Sequence, residues 1–329
     1  MRRRELITLL GGAAAAWPLA AQAQKQATLP LVAFLNGGTA DGSQRNAAAF
    51  RKGLSEMGLA DGRDLAVEYH WLEGQYDRVP ALVGDLVRRG VAVIASPGFP
   101  PGALAAKAAT TRIPIVFGVG DDPVKLGLVA SIARPGGNAT GINFFVQETV
   151  SKRLALLHEL VPNAIRIAVL VNPANTTTAE VTLKEAREAA SALSLQIAAF
   201  DASTAGEIDR AFAAMARDRS DALLIAGDGF LFTRRGQFAT LAARDRLPMI
   251  SAVREFAEAG GLISYGTALT GMFRQAGVYT GSIVKGTKAA DLPVLQSTKF
   301  ELVINLQTAR ALGIEVSPML LAGADEVIE

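Results

Sequence analysis

Residues 77–95 read DRVPALVGDLVRRGVAVIA, an amphipathic segment followed directly by an apolar one. In the first part, apolar side chains recur at spacings that place them on one face of a helix, at Val79, Leu82, Val83, Leu86 and Val87. In the second part, Val91–Ala95 is a short continuous apolar run, which is typical of a strand buried on both faces of a parallel sheet. A helix followed by such a strand predicts an α/β fold.

The same alternation continues in both directions along the chain. Amphipathic helices separate the apolar runs, so consecutive strands are expected to pair in parallel. The pattern breaks at residues 135–138, which read PGGN, and then resumes, so the chain is predicted to hold two α/β units of comparable size. The further strands are predicted at Leu31–Leu35, Leu65–Tyr69 and Ile113–Gly118, and after the break at Ile165–Val171, Leu195–Phe200, Ala222–Ile225 and Pro248–Ser251.

The last part of the chain indicates how the two units are joined. A helix over about 269–286 and a strand at Lys299–Asn305 make up a tail that is too short for a third domain. We therefore expect two doubly wound parallel-sheet lobes joined by a three-crossing hinge. The alternative is two independent domains with a single linker, the tail extending the second. The expected lobes are 28–141 plus 265–291 at the N-terminal side and 142–264 plus 292–323 at the C-terminal side.

Residues 1–23 have the layout of a secretory signal peptide. Three arginines precede an apolar segment, Leu6–Ala20, and Ala21–Ala23 is a small-x-small cleavage site. This predicts a periplasmic protein, and the consecutive arginines suggest twin-arginine export. Cleavage after Ala23 would leave 30 basic and 30 acidic residues of the original 33 and 31. A net charge of zero argues against a nucleic-acid partner.

Candidate binding residues follow from the predicted topology. In open parallel sheets, ligands bind beyond the carboxyl ends of the strands, and two facing lobes would bring both sets of ends to one cleft. The residues that follow the strands or lie at the crossings are Asn36, Gly37, Thr39, Ser96, Pro97, Gly118, Asp121, Asp122, Asn143, Asn172, Asn175, Asp228 and Tyr265.

These residues offer amide, hydroxyl, carboxylate and backbone N–H groups, which suit a small polar or zwitterionic ligand. Helix N-termini with Ser96 or Thr39 would bind a carboxylate, and Asp121 or Asp228 would bind an ammonium group. For any single glycine or asparagine, ordinary turn and cap chemistry is the competing interpretation.

Few side chains in the sequence suit catalysis or metal binding. The chain has no cysteine and two histidines, His70 and His158, and it lacks H-E-x-x-H, G-x-S-x-G and P-loop motifs. Gly118 and Gly120 match the first two glycines of the dinucleotide-binding motif G-x-G-x-x-G, but Pro123 occupies the position of the third glycine. We therefore expect a protein that is not an enzyme and has no cofactor and no metal. An exported hydrolase or oxidoreductase built from distant residues is the alternative.

Two segments resemble a known family. Residues 113–142 (IPIVFGVGDDPVKLGLVASIARPGGNATGI) and 292–314 (LPVLQSTKFELVINLQTARALGI) are similar to ABC-transporter substrate-binding proteins of the TrpX-like group. The resemblance implies the type I periplasmic-binding-protein fold and a ligand trapped by lobe closure. It also implies delivery to an inner-membrane permease and its ATPase. The family's cleft loops fall on Asn36, Ser96, residues 121–123, Asn172 and Asp228, and its crossing falls on Ser264–Gly266.

One position departs from the family pattern. Many relatives carry an acidic residue after that crossing, where this chain has Thr267, Ala268 and Leu269. The functional prediction is a monomeric binding protein for an amino acid or an aromatic or organic acid, acting in solute import. A periplasmic sensor component with the same fold is the second hypothesis.

Overall fold

The computed structural model describes residues 29–145, 149–297 and 299–329. The strands of the first series form a sheet in which all neighbours run parallel. In spatial order it contains β11 (Leu295–Gln296), β5 (Ala139–Asn143), β4 (Ile115–Val119), β3 (Val93–Pro97), β1 (Leu31–Asn36) and β2 (Ala66–Trp71).

The second sheet belongs to the second lobe and is parallel except for one pair. Its strands β10 and β12 run antiparallel, with Ile263 opposite Ile304. The spatial order is β13 (Glu326–Ile328), β12 (Phe300–Asn305), β10 (Ile263–Thr267), β9 (Met249–Ser251), β8 (Ala222–Ile225), β6 (Arg166–Val171) and β7 (Gln196–Asp201).

Helices accompany the sheet in each lobe. The first lobe contains α1 (Gln44–Glu56), α2 (Val79–Arg89), α3 (Pro100–Ala109) and α10 (Leu269–Val284). The second contains α4 (Val150–Leu160), α5 (Thr176–Leu193), α6 (Ala205–Asp218), α7 (Gly229–Thr233), α8 (Arg235–Asp245), α9 (Arg254–Glu258), α11 (Leu306–Leu312) and α12 (Pro318–Ala322). Short 3₁₀ turns occur at Asp41–Ser43, Tyr76–Arg78 and Ala289–Asp291.

Helix α2 shows how the sequence pattern becomes structure. Its apolar face buries Val79, Val83 and Leu86, as the spacing predicted. The helix ends at Gly90, whose φ of 66° lies in the left-handed region that glycine adopts without strain. The buried strand β3 then follows within a few residues, so the helix covers the sheet that it leads into.

Helix α10 belongs to the first lobe although it follows β10 of the second. It packs against α1 through glycines on both helices: a Cβ on Gly53 would lie 2.0 Å from the Arg274 carbonyl oxygen, and one on Gly277 2.1 Å from that of Phe50. Only glycine permits such a close approach of the two helix backbones. This contact ties the tail of the chain back to its beginning.

The chain therefore passes between the sheets three times: between Asn143 and Val150, between Thr267 and Leu269, and between Gln296 and Phe300. The expected fold class is confirmed, and the single-linker alternative does not describe this topology.

All three expected lobe boundaries, and the expected end of the second lobe at residue 323, differ from the sheets. Strand β5 of the first sheet extends to Asn143, and β13 of the second sheet spans Glu326–Ile328. Residues 265–267 complete β10 and pair with β12 of the second sheet, while Leu295 and Gln296 pair with β5 of the first. A two-residue strand such as β11 has no periodicity that a sequence can reveal.

The predicted signal peptide, 1–23, lies outside the described residues. Among the helices of the described part, none is both long enough and apolar enough to cross a membrane.

Candidate functional site

The carboxyl ends of β1, β3 and β4 face those of β6, β8 and β9 across a cleft, as expected for two open sheets joined by a hinge. A cavity of about 590 Å³, counted with the space open to solvent, lies in it. It is lined by Asn36, Gly42, Ser43, Arg45, Asn46, Gly98, Phe144, Gly229, Phe232, Thr233, Arg235, Val253, Glu255, Leu269 and Phe273.

A smaller cavity of about 270 Å³ adjoins the first one. The two share the walls formed by Gly98, Phe144, Gly229 and Phe232. The smaller cavity adds the carboxylates of Asp121 and Asp228, and its other lining residues are Pro100, Gly120, Thr178 and Gly227. The cleft thus has an apolar, aromatic part and a polar part next to it.

Asp121 follows β4 and is a buried carboxylate with an open acceptor. Its side chain is buried, with 6% of the residue exposed. Oδ2 accepts a hydrogen bond of 3.0 Å from the Thr178 hydroxyl, whereas buried Oδ1 has no partner among the described residues. Burial raises the pKa of Asp121, and the hydrogen bond from Thr178 opposes that shift. A buried carboxyl with an unused acceptor in this place suits a cationic donor, which would favour its ionised form.

Asp228 follows β8, and both of its carboxylate oxygens already accept hydrogen bonds from the protein. Oδ1 accepts from Asn172 Nδ2 at 3.1 Å and from the backbone N–H groups of Phe230 and Leu231 at 3.0 and 3.1 Å. Oδ2 accepts from Tyr76 Oη at 3.0 Å and Asn175 Nδ2 at 3.1 Å. Burial still raises the pKa of this carboxyl, against the lowering by these donors.

The N-terminal end of α1 forms another wall of the larger cavity. Asn36 Oδ1 accepts from the Gly38 N–H at 2.8 Å and from the Ser43 hydroxyl at 3.2 Å, which fixes the turn before the helix. Asn46 Oδ1 lies buried with no hydrogen-bond partner in the described part of the chain. The wall therefore presents polar groups from a helix N-terminus, where backbone N–H groups favour an anion.

The lobes touch each other directly around the cleft. The Thr178 hydroxyl of the second lobe donates to Asp121 of the first, and Tyr76 of the first donates to Asp228 of the second. At the mouth, Arg235 Nη1 donates to the Gly42 carbonyl oxygen at 3.1 Å. These contacts define a closed arrangement of the lobes.

Of the thirteen candidate residues, the structure brings five to the cleft or to its hydrogen-bond network. Asn36, Asp121 and Asp228 line the cavities. Asn172 and Asn175 stand behind them as donors to Asp228.

Four polar candidates make local hydrogen bonds and lie outside the cavity linings. Thr39 Oγ1 accepts from the Gly42 N–H, and the Ser96 hydroxyl donates to the Phe99 carbonyl oxygen. Asp122 Oδ1 accepts from the Val124 N–H at 2.8 Å, and Asn143 Oδ1 from that of Phe145 at 3.0 Å. These are the turn and cap roles that formed the competing interpretation.

The remaining four candidates contribute packing. Pro97 lies within β3, and Gly118 lies within β4 beside the sulfur of Met272. Gly37 packs against the hydroxyl end of Tyr76, where a Cβ would lie 2.4 Å from Oη, and Tyr265 stacks on Phe300 with ring centroids 5.9 Å apart.

Sequence reasoning missed the aromatic walls and much of the polar lining, including Ser43, Asn46 and Thr178. Phe144, Phe232 and Phe273 reach the cleft from a crossing and from helices α7 and α10. No periodicity distinguishes a phenylalanine that lines a cleft from one in a core. Thr178 and Tyr76 come from helix starts, and only the folded chain shows which carboxylates they meet.

The histidines give no support to the hydrolase alternative. His70 lies in β2 and His158 in α4, and neither belongs to the lining of the two cavities. Within residues 29–145, 149–297 and 299–329, no cluster of His, Asp and Glu is arranged to hold a metal ion.

Comparison with known proteins agrees with this geometry. The family described as ABC transporter substrate binding protein matches residues 32–328. A tyrosine-binding protein of Clostridioides difficile is 24% identical over 266 residues, which are 81% of this chain and 76% of that protein.

Two solved structures share the fold. One, from Streptococcus pneumoniae in complex with L-Trp, has a TM-score of 0.80 at 23% identity, covering 92% of this chain and all of the other. The other is the ligand-free, open structure of an adhesive substrate-binding protein from Clostridium difficile. It scores 0.61 at 22% identity and covers 92% of this chain and 99% of that one.

Proposed function

The chain belongs to the ABC transporter substrate-binding proteins, and on this basis we propose that it captures an amino acid with an aromatic or apolar side chain for import. Members of this family bind substrates and do not convert them, so the expectation that the chain is not an enzyme is confirmed. The finer proposal concerns the ligand class, the closing motion and the partners.

The open acceptor of Asp121 carries the ligand proposal. A buried carboxylate oxygen without a partner is costly, and an ammonium group placed against it would form a charge-assisted hydrogen bond in a low-dielectric site. Asp228 cannot take this role in the closed protein because its oxygens already receive donors from five groups. The polar end of the cleft is therefore built for one amine.

The rest of the cleft suits the other parts of an amino acid. Ser43 and Asn46 at the N-terminal end of α1 offer polar groups for the carboxylate. Phe144, Phe232 and Phe273 offer an aromatic surface for the side chain. Binding of tyrosine and of L-Trp, which the names of two relatives record, supports the same ligand class.

The departure at residues 267–269 is consistent with this assignment. The Thr267 hydroxyl donates to the Phe144 carbonyl oxygen at 2.9 Å and so joins the second crossing to the first. Leu269 then adds an apolar side chain to the cavity wall. No acidic residue stands at this crossing, and we assign the ammonium group to Asp121 because its carboxylate is buried in the cleft with a free acceptor.

Function rests on closure of the lobes. In an open form the cleft admits the ligand, and a ligand that contacts groups on both lobes favours the closed form because only closure completes its contacts. The closed protein then docks on a permease driven by an ATPase in the inner membrane. Export to the periplasm through the N-terminal segment completes the proposal.

Titration calorimetry with a panel of L-amino acids tests the ligand class. L-Tyrosine and L-tryptophan should bind, while 3-(4-hydroxyphenyl)propionate and indole-3-propionate, which lack the amine, should bind at least about tenfold more weakly. Asp121→Asn should remove this preference. Asp122→Asn is the matched control, because Asp122 is the adjacent carboxylate and lies outside the cavities. Equal affinity for the acids with and without an amine would sink the proposal.

A further inference from the structure

Tyr76 makes a hydrogen-bonded contact between the lobes that needs no ligand. Its hydroxyl donates to Asp228 Oδ2 at 3.0 Å and accepts from the Phe230 N–H at 3.2 Å. Its ring packs edge-on against Phe99 of its own lobe, with centroids 4.8 Å apart. The phenol is thus held by the first lobe and presented to the second.

The surfaces around this contact approach so closely that only glycine fits. We call them the closure seam: Gly38, Gly42 and Gly74 of the first lobe against Ser203, Gly229 and Thr233 of the second. A Cβ on Gly38 would lie 2.3 Å from Thr233 Cγ2 and 2.8 Å from the Gly229 carbonyl oxygen. One on Gly74 would lie 2.7 Å from the Ser203 carbonyl oxygen.

We propose that Tyr76 is a positioning residue for lobe closure, whose bond to Asp228 across the closure seam stabilises the closed arrangement and sets how the lobes meet. The inference rests on the proposed function, since closure is the step that would trap the ligand. The Tyr76–Asp228 hydrogen bond would raise ligand affinity by stabilising the closed form, without contacting the ligand.

The acceptor for Tyr76 is formed in advance. When the lobes separate, Asp228 keeps Asn172, Asn175 and the N–H groups of Phe230 and Leu231, because all four belong to its own lobe. Of the five hydrogen bonds that Asp228 accepts, only the one from Tyr76 forms and breaks with closure. Replacing Tyr76 by Phe removes the hydroxyl and leaves the ring packing in place, so the variant reports on the closing equilibrium.

Small-angle X-ray scattering of the full chain without ligand tests this inference directly. Tyr76→Phe should raise the radius of gyration and the fraction of open molecules relative to wild type. Tyr279→Phe is the matched control, because that hydroxyl donates to the Pro293 carbonyl oxygen at 2.7 Å within the first lobe. A scattering profile for Tyr76→Phe equal to that of wild type, or equal opening by Tyr279→Phe, would overturn the inference.

A second variant tests the seam by adding bulk and removes no hydrogen-bonding group. Gly38→Ala should hold the lobes apart, since the added methyl group clashes with Thr233 and Gly229 only when they close. Gly236→Ala is its control, because a Cβ there meets nothing within 4 Å. An alanine at Gly38 that leaves the protein as compact as wild type would contradict the closure seam.

Binding measurements separate this inference from the proposed function. With L-tyrosine and L-tryptophan as probes, Tyr76→Phe should weaken binding about three- to tenfold by shifting the closing equilibrium, and the preference for the amine should remain. If neither probe binds the wild type while the scattering still differs, the ligand proposal fails and the role of Tyr76 stands. If the probes bind and the scattering is unchanged, the reverse holds.

Discussion

The loops that carry Asp121 and Asp228 occupy equivalent places in the two lobes, but their carboxylates differ in how many hydrogen bonds they accept. Each follows a buried parallel strand, β4 or β8, and each carboxylate is buried with its pKa raised by that burial. Asp121 receives one hydrogen bond from a side chain, whereas Asp228 receives five from side chains and backbone. Position and burial therefore do not decide the role of a carboxylate; the donors already bound to it do.

Helix capping explains much of the difference. Asp228 is itself the N-cap of α7 and accepts from the N–H groups of Phe230 and Leu231. In the first lobe, the chain after β4 forms a turn and not a helix, and the neighbouring residue Asp122 accepts from the Val124 N–H of that turn. Because Asp122 accepts the backbone hydrogen bonds of this turn, Asp121 Oδ1 keeps no partner among the described residues, and Asp121 lines the smaller cavity.

The largest expected effect comes from removing the saturated carboxylate. Asp228→Ala leaves five donors without their acceptor, four of them in one lobe, and should lower the free energy of unfolding by about 3–5 kcal/mol. Chemical denaturation with urea measures this. Asp121→Ala serves as the comparison and should cost far less, because it frees a single hydroxyl. Similar losses for both variants would erase the distinction between the two loops.

The second effect is a pH dependence of ligand affinity. Burial raises the pKa of Asp121, so acidification neutralises it at a higher pH than an ordinary aspartate. Affinity for L-tyrosine or L-tryptophan should therefore fall as the pH is lowered through this raised pKa, by about tenfold per pH unit once the carboxyl is mostly protonated. Calorimetry between neutral and acidic pH measures it. Asp121→Asn should bind weakly with a flat profile, and a wild-type profile that is equally flat would contradict the assignment.

The smallest effect concerns stability without ligand. A group whose pKa is higher in the folded than in the unfolded state stabilises the fold below its unfolded pKa, and that contribution is lost as the pH rises through the folded pKa. At neutral pH, Asp121→Asn should therefore raise the free energy of unfolding by up to about 1 kcal/mol. The gain should disappear on acidification, when the wild-type carboxyl becomes neutral. Thermal unfolding at both pH values checks the sign, and a destabilised variant at neutral pH would argue against an underpaired carboxylate.

The sequence predicted the architecture because long-range topology follows from local patterns here. Apolar runs separated by amphipathic helices require parallel sheets, and a tail too short for a domain requires a return crossing. The exact crossing points could not be predicted from the sequence. Strand β11 contains only two residues, which is too few for a periodic pattern, and no sequence signal marks the end of β10 at Thr267.

The binding site could be predicted in outline only. Parallel topology placed Asp121 and Asp228 at the cleft edge, as expected for residues that follow β4 and β8. Which of the two is open depends on Tyr76, Asn172 and Asn175, three donors from separate parts of the chain. A single sequence cannot show that they converge. The same holds for Phe232, which lies in a helix of five residues that is too short for a periodic signal.

The glycine contact between α1 and α10 also bears on how the protein folds. Gly53 and Gly277 belong to opposite ends of the chain, so the first lobe cannot finish its core until α10 and β11 are available. The second lobe must likewise wait for β12 and β13. Both lobes therefore complete together and late, through contacts of high sequence separation, which predicts slow folding and a long-lived, partly exposed intermediate.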